Sequence, residues 1–169
     1  SAISVLTEPA HFGGSVDALE RVRAQVSVPV LRKDFVLEEP QLDAVAADAV
    51  LLIARFLPDL SGMIEAARAR GMTPLVETHT MAELERAVEA GARVIGVNNR
   101  DLATLTVDRS TVERLAPHVP DGVSLIAESG IETATHRERM LEAGADGLLV
   151  GSAIMAGEIE ANTRRLVER

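Results

Sequence analysis

The stretch GADGLLVGS, from Gly144 to Ser152, decides how this sequence folds. A glycine stands where a helical pattern ends, an apolar run follows at once, and a Gly-Ser pair comes directly after that run. A glycine just past a helix adopts the left-handed conformation and passes the chain to the next strand. An apolar run without alternation is typical of a strand buried on both faces of a parallel sheet. The stretch therefore predicts one helix-to-strand unit of an α/β protein.

The same unit recurs along the whole chain. Gly71 and Gly91 also separate a helical pattern from an apolar run, and the apolar runs cover residues 2–6, 28–31, 49–53, 73–76, 94–97, 123–127 and 147–150. The repeat of about 20–30 residues suits a strand, a loop and a helix. Seven such units in unbroken alternation favour a barrel over an open sheet. We predict a (β/α)8 TIM barrel with seven of its eight βα units present. It would be a single domain over residues 1–169, incomplete at its N-terminus.

Composition excludes several classes of function. The net charge of −9 argues against a nucleic-acid partner, because such domains need a basic face. No apolar run approaches the roughly 20 residues that cross a bilayer, so no membrane partner is expected. The absence of cysteine excludes disulfides and thiolate metal sites, and it fits a cytoplasmic location.

Lysine usage singles out one residue. Of the seventeen Lys and Arg residues, sixteen are arginine and only Lys33 is lysine. Arginine keeps its proton in proteins, whereas a lysine ammonium can release it. On composition alone, a general acid and a surface lysine that survived by chance remain equally open. The position of Lys33 along the chain has to decide between them.

Charged and amide side chains follow one apolar run after another. In parallel barrels the chemistry sits at the carboxyl ends of the strands, so we expect these side chains to point into one mouth. They are Lys33, Glu77, Asn98, Arg100 and Glu128. Because the only lysine belongs to this set, its position favours a functional role over chance.

Two Gly-Ser pairs indicate a phosphate site. Ser129-Gly130 follows the sixth apolar run and Gly151-Ser152 follows the seventh. Glycine lets backbone N–H groups approach an anion, and barrels frequently bind phosphate between the loops of their last two strands. One such pair is more often a simple turn. Two pairs in consecutive loops favour phosphate binding.

The strand-end segments resemble one enzyme family, the indole-3-glycerol-phosphate synthases of tryptophan biosynthesis. The similarity extends over essentially the whole chain, with the family's blocks in the family's order. The matching blocks are SVLTEPAHFGGS (4–15), PVLRKDF (29–35), ADAVLLI (47–53), PLVETHT (74–80), VIGVNNRDL (94–102), IAESGI (126–131) and GADGLLVGSAIM (144–155).

The resemblance implies a role for each candidate residue. Lys33 matches the family's general acid and Glu77 its catalytic glutamate, with Asn98 and Glu128 completing the catalytic set. Contacts to substrate or phosphate are implied for Arg100, Ser129, Gly130, Gly151 and Ser152. Apolar walls around the aromatic ring are implied for Phe12, Phe35 and Leu52.

The implied reaction is a decarboxylating ring closure. The substrate would be 1-(2-carboxyphenylamino)-1-deoxyribulose 5-phosphate, and the product indole-3-glycerol phosphate. Lys33 would protonate the carbonyl that the aromatic carbon attacks; carbon dioxide and water then leave, with Glu77 handling protons. A lyase of this kind needs no metal and no organic cofactor, because the aryl amine itself drives electrons toward the carbonyl.

The sequence departs from the family at one place. The family's first strand supplies another lysine, another glutamate and a serine, and no residue stands at those positions here. We therefore predict weak or no turnover unless that segment is supplied. Strand edges near Ile3 and Leu148 would be exposed, which favours an edge-paired homodimer or a complementing N-terminal segment.

Two alternatives stay open. A neighbouring phosphate-binding barrel, such as phosphoribosylanthranilate isomerase, would share the Gly-Ser loops but is expected to use a cysteine or aspartate acid-base pair, and this chain has no cysteine. A catalytically inert barrel fragment would have no reason to keep its only lysine at a strand end. Among the neighbouring polar residues, we expect structural hydrogen bonds from Asp34, a turn cap at Asp101, and only polar packing at Glu8.

Overall fold

The computed structural model describes residues 1–167 as strands alternating with helices. The strands are β1 (Ile3–Leu6), β2 (Val30–Lys33), β3 (Ala49–Ile53), β4 (Thr73–Thr78), β5 (Val94–Asn98), β6 (Ser124–Glu128) and β7 (Gly147–Leu149). The helices are α1 (Pro9–Phe12), α2 (Val16–Arg23), α3 (Leu60–Ala69), α4 (Met81–Glu89), α5 (Ser110–Leu115), α6 (Ala134–Glu142), α7 (Ser152–Met155) and α8 (Ile159–Val167). Short 3-10 turns cover Glu39–Ala44, Ala54–Phe56 and Ala116–His118. Each predicted strand is present, and four of them extend beyond their apolar run: β2 to Lys33, β4 to Thr78, β5 to Asn98 and β6 to Glu128.

The chain forms two compact units. The first comprises Ser1–Glu77 and Glu85–Val94, and the second Thr78–Leu84 and Ile95–Arg169. The prediction of one domain over residues 1–169 stays a prediction. No helix within residues 1–167 is both long and apolar enough to span a bilayer.

In the first unit, β1 to β4 run parallel in chain order. Leu6 pairs with Lys33, Arg32 with Val50, and Ile53 with Glu77. The start of β2 is fixed by Asp48, whose carboxylate accepts the N–H of Val30 at 2.8 Å. The strands pack against α2 and α3 through side chains with almost no exposed surface: Leu19, Val30, Val50, Leu52 and Ile64. Burial of both strand faces is why these runs are apolar without alternation.

The second unit repeats this construction with β5, β6 and β7. Glu128 in β6 pairs with Leu149 in β7. Asp146 fixes the start of β6 as Asp48 fixes that of β2, since its carboxylate accepts the N–H of Leu125 at 2.8 Å. The core contains Ile95, Val97, Val112, Leu125, Ala127 and Met140.

The predicted glycine caps are confirmed in both units. Gly71, Gly91 and Gly144 follow α3, α4 and α6 with φ of 76°, 79° and 109°. Only glycine adopts such angles without steric cost, so the chain can leave each helix and enter the next strand at once.

Candidate functional site

In the first unit, Lys33 and Glu77 form an ion pair. Lys33 ends β2 and Glu77 lies near the end of β4, with β3 between them. The Lys33 Nζ lies 3.5 Å from Glu77 Oε2. The lysine side chain is 29% exposed, whereas that of the glutamate is only 1% exposed. The ammonium therefore remains accessible to a ligand, while the carboxylate is shielded from bulk water. This pair offers an acid and a proton acceptor side by side.

Asp34 faces away from this pair, as alternation along a strand requires. Its carboxylate accepts hydrogen bonds from Arg32 Nη2 at 2.6 Å and from Thr7 Oγ1 at 2.7 Å. Arg32 is buried, and its Nη1 also donates to the carbonyl of Gln41 at 2.5 Å. The predicted structural hydrogen bonding of Asp34 is confirmed.

The chain's three phenylalanines form one cluster beside these strand ends. The ring centroids of Phe12 and Phe35 are 6.0 Å apart, and those of Phe35 and Phe56 are 6.2 Å apart. The structure thus brings together the two predicted aromatic residues, and Phe12 is 54% exposed. Phe56, which follows β3, was missed by the sequence reasoning. The signal available was that the chain has only three aromatic side chains.

We predicted only polar packing at Glu8, but its carboxylate also caps a helix. Its carboxylate accepts the N–H groups of Ala10, His11 and Phe12 at the start of α1 and thereby fixes the turn that carries the Phe12 ring. Desolvation alone would raise the pKa of this carboxyl. The hydrogen bonds from His11, Ala10 and Phe12 outweigh that effect and hold the pKa below its ordinary value. Helix caps are usually Ser, Thr, Asp or Asn, so a glutamate gave no sequence signal.

The structure corrects the prediction that Leu52 is an apolar wall around the aromatic ring, because Leu52 does not share a face with the Lys33–Glu77 pair. Ile53 pairs with Glu77, so Leu52, one residue earlier, points to the opposite face of β3. Leu52 is fully buried there, and it is Leu51 that shares the face of Glu77.

In the second unit, Asn98 and Glu128 lie level on adjacent strands. The N–H of Asn99 donates to the Glu128 carbonyl at 2.9 Å. The N–H of Thr7 makes the same kind of bond to the Lys33 carbonyl, and there the residue before Thr7, which is Leu6, pairs with Lys33. Asn98 therefore pairs with Glu128, and both side chains project from one face of the sheet. Both are buried, and Asn98 Oδ1 accepts the N–H of Arg100 at 2.9 Å.

Asn99 holds the first Gly-Ser loop in place. Its Nδ2 donates to the Ser129 carbonyl at 3.1 Å, and its Oδ1 accepts the N–H of Val112 at 3.2 Å. Ser129 has a φ of 65° and Gly130 a φ of 74°, so two successive residues adopt left-handed conformations. Sequence reasoning missed Asn99, although alternation along β5 already places it opposite Asn98.

The two Gly-Ser loops differ in packing. A Cβ at Gly130 would lie 2.5 Å from Val107 Cγ1, so a larger residue would displace that side chain as well as strain the left-handed backbone. Arg109 Nε donates to the Gly130 carbonyl at 2.6 Å. At Gly151 a Cβ would meet nothing within 4 Å, and the residue is exposed. Ser152 begins α7 and is also exposed. The open space at Gly151 is compatible with a ligand close to the backbone.

The loop after β5 carries the remaining candidate residue, Arg100. Its Nη1 donates to the Leu105 carbonyl at 2.9 Å, which directs the half-buried side chain along its own loop. The carboxylate of Asp101 accepts the N–H groups of Ala103 and Thr104, which confirms the predicted turn cap. The convergence of all the candidate residues of both units in one mouth stays a prediction.

Comparison with known sequences identifies the family. A family profile described as indole-3-glycerol phosphate synthase matches residues 1–166. Relatives of that name from Haloarcula marismortui and Halobacterium salinarum are 61% and 64% identical, and the alignments cover 98% and 99% of this chain. A relative of the same name from Streptomyces griseus is 50% identical over 93% of the chain. The alignments cover 65%, 67% and 60% of these relatives, so the chain spans about two thirds of their length.

Solved structures support the fold class. A thiamine phosphate pyrophosphorylase from Pyrococcus furiosus matches 98% of this chain and 80% of its own, with a TM-score of 0.73 at 18% identity. An orotidine 5'-phosphate decarboxylase from Pyrococcus horikoshii matches 98% of this chain and 86% of its own, with a TM-score of 0.74 at 16% identity. At such identities the likeness concerns the fold alone, and it confirms the (β/α)-barrel class with seven strand units in residues 1–167. The strand-end residues and the match over residues 1–166 together show that the chain belongs to the indole-3-glycerol phosphate synthase family.

Proposed function

We propose that this chain closes the indole ring of 1-(2-carboxyphenylamino)-1-deoxyribulose 5-phosphate, releasing carbon dioxide and water to give indole-3-glycerol phosphate. The observation that carries the proposal is the pair formed by the only lysine and a buried glutamate, 3.5 Å apart, in a member of this family. The reaction belongs to tryptophan biosynthesis, and a cytoplasmic location is part of the proposal.

The pair supplies the three proton transfers that the reaction needs. The Lys33 ammonium protonates the substrate carbonyl oxygen while the aromatic carbon attacks the carbonyl carbon. The carboxylate of the ring then leaves as carbon dioxide, which restores aromaticity. Lys33 regains a proton from solvent through its exposed side chain and protonates the new hydroxyl, which departs as water. The Glu77 carboxylate accepts the proton released from the adjacent carbon. The opposite charges attract each other across 3.5 Å, which holds the acid beside the base.

The other candidate residues bind the substrate in this proposal. Phe12 and Phe35 pack against the aminobenzoate ring, with Leu51 taking the place predicted for Leu52. The phosphate binds to the backbone and hydroxyl groups of Ser129, Gly130, Gly151 and Ser152. Arg100 contacts the substrate, while Asn98 and Glu128 orient its hydroxyl groups. This part of the proposal is supported by the positions of Asn98, Glu128 and the two Gly-Ser pairs, which lie at or directly after the ends of β5, β6 and β7.

The test is an indole-fluorescence assay with the synthetic substrate. The full chain is assayed alone and with a peptide carrying the family's first strand, and Lys33→Met and Lys33→Arg are compared with the parent. We expect both variants to lose about 100-fold or more in kcat, because arginine keeps the charge but cannot release its proton. Arg21→Met, an exposed change on α2, is the control and should keep the parent rate. Parent-like turnover in Lys33→Met would refute the acid role.

We also propose that β1 accepts an additional strand along its outer edge. Ile3 and Leu6 are each 37% exposed, whereas Val30 and Leu31 of the neighbouring β2 are buried. In the first unit, the described residues pair β1 with β2 alone. Unpaired edges attract strands. The first-strand peptide is the proposed occupant, and light scattering should report a monomer that binds it; a dimer that excludes the peptide would indicate a second copy instead.

A further inference from the structure

Thr7 contacts three consecutive residues around the only lysine. It directly follows β1 and is 4% exposed. Its N–H donates to the carbonyl of Lys33 at 3.1 Å. Its hydroxyl donates to Asp34 Oδ2 at 2.7 Å and accepts from Arg32 Nε at 3.3 Å. One residue therefore binds the backbone of Lys33 and the side chains on both sides of it.

The Arg32–Asp34 pair extends this contact into the following loop. Arg32 Nη2 lies 2.6 Å from Asp34 Oδ2, and both side chains are largely buried. Asp34 Oδ1 accepts the N–H of Phe35 at 2.9 Å, and the Gln41 carbonyl accepts from Arg32. A buried ion pair is favourable only when its remaining donors and acceptors are satisfied. The Thr7 hydroxyl does this for both partners, since it donates to one and accepts from the other.

This arrangement determines where the lysine points. Side chains alternate across a strand, so anchoring residues 32 and 34 on one face fixes the direction of residue 33 on the other. We propose that Thr7 is a positioning residue, which holds the Lys33 ammonium at Glu77 through Arg32, Asp34 and the Lys33 backbone. The proposal deepens the proposed function, on which its catalytic consequence rests.

The test compares Thr7→Val with Thr7→Ser. Valine keeps the shape of threonine without its hydroxyl, while serine keeps the hydroxyl. Because the chain has one lysine, protein labelled with 13C at lysine Cε gives a single resonance that reports Lys33 directly. We expect this resonance to move or broaden in Thr7→Val and to stay at the parent position in Thr7→Ser. Thr111→Val, the same change at a buried threonine of α5 that accepts a bond from Arg114, should leave it in place.

Turnover is the second measurement. With the substrate assay above, Thr7→Val should lower kcat about tenfold with KM within twofold, because misplacement of a catalytic group affects the chemical step. Thr7→Ser, which keeps the hydroxyl, should have the kcat of the parent chain. If the resonance moves as expected but the parent chain shows no turnover even with the first-strand peptide, the positioning role stands and the proposed function fails.

Three results would overturn the inference. They are a parent-like resonance in Thr7→Val, an equal displacement in Thr7→Ser, and an equal displacement in Thr111→Val. Should Thr7→Val not fold by circular dichroism, Asp34→Asn replaces it, since the neutral amide weakens the same network. The positioning role is also overturned if Asp34→Asn folds and has a parent-like resonance. It is overturned as well if Asp34→Asn does not fold and Thr7→Ser has a displaced resonance.

Discussion

The Lys33–Glu77 pair should be measurable as an energetic coupling. Two unit charges 3.5 Å apart at an effective dielectric constant of about 20 attract by about 5 kcal/mol. The lysine is 29% exposed, so solvent screens it, and we expect a net coupling of about 2 kcal/mol. Lys33→Met alone should lower the free energy of unfolding by about 3 kcal/mol, because it leaves a buried carboxylate without this cation.

A double-mutant cycle tests this number. The free energy of urea unfolding is measured for the parent, Lys33→Met, Glu77→Gln and the double variant at pH 7 and low salt. The double variant should be about 2 kcal/mol more stable than the sum of the two single effects requires. Arg164→Met and Glu160→Gln form the control cycle, because that i,i+4 pair is only 2.6 Å apart yet both side chains are exposed. Its coupling should be about 0.5 kcal/mol or less.

The outcome that refutes the reasoning is additivity. If the effects of Lys33→Met and Glu77→Gln add as completely as those of the exposed control pair, the ammonium and the buried carboxylate do not interact as the geometry requires. The acid and the base of the proposed reaction would then not be organised as a pair.

Other predictions address the loops and the two faces of the strands. Gly14→Ala should lower the free energy of unfolding by about 1–3 kcal/mol in urea titrations, because the added Cβ would overlap the Leu6 carbonyl and lie 2.8 Å from the Thr7 nitrogen. Gly151→Ala, where the added Cβ meets nothing, should change that free energy by less than about 0.5 kcal/mol while raising KM for the phosphorylated substrate. Leu52→Ala should mainly destabilise the chain, by about 2–5 kcal/mol, whereas Leu51→Ala should also raise KM. The Ser110 hydroxyl and Arg114 lower the pKa of Asp108 to about 2, so its contribution to stability is complete above its ordinary pKa of 3.8 and is lost as the pH falls toward 2. Asp108→Asn should therefore lower the Tm at pH 7, and thermal unfolding from pH 6 to pH 2 should show the difference from the parent shrinking.

The reliable part of the sequence reasoning was the location of strand ends. Each apolar run is followed within two residues by a polar residue, and parallel strands place these residues at one edge. That rule predicted Lys33 and Glu77 without any knowledge of contacts, and the structure places their charged atoms 3.5 Å apart. The glycine caps were predictable for a similar reason, since a helix that turns directly into a strand needs a left-handed residue.

Leu52 shows where that reasoning fails. The run AVLLI is apolar at each position because both faces of β3 are buried, so no alternation reveals which side chain faces the site. Only the pairing of Ile53 with Glu77 assigns the faces. Glu8 and Asn99 were missed for another reason. Both bind backbone groups of segments that follow a strand, and such contacts depend on the path of those segments in space.

The two faces of a strand end divide the proposed catalysis from structural support between neighbouring residues. On one face, the Lys33 ammonium reaches solvent, so packing alone does not hold that side chain in place. The opposite face is buried and can hold a hydrogen-bonded ion pair, which is rigid because each bond restrains the others. The same logic applies at β5, where Asn98 projects from one face while Asn99 bonds to the loop of Ser129 from the other. A substitution beside a catalytic residue can therefore impair turnover without touching substrate, and residues 7, 32, 34 and 99 are where this chain should reveal such effects.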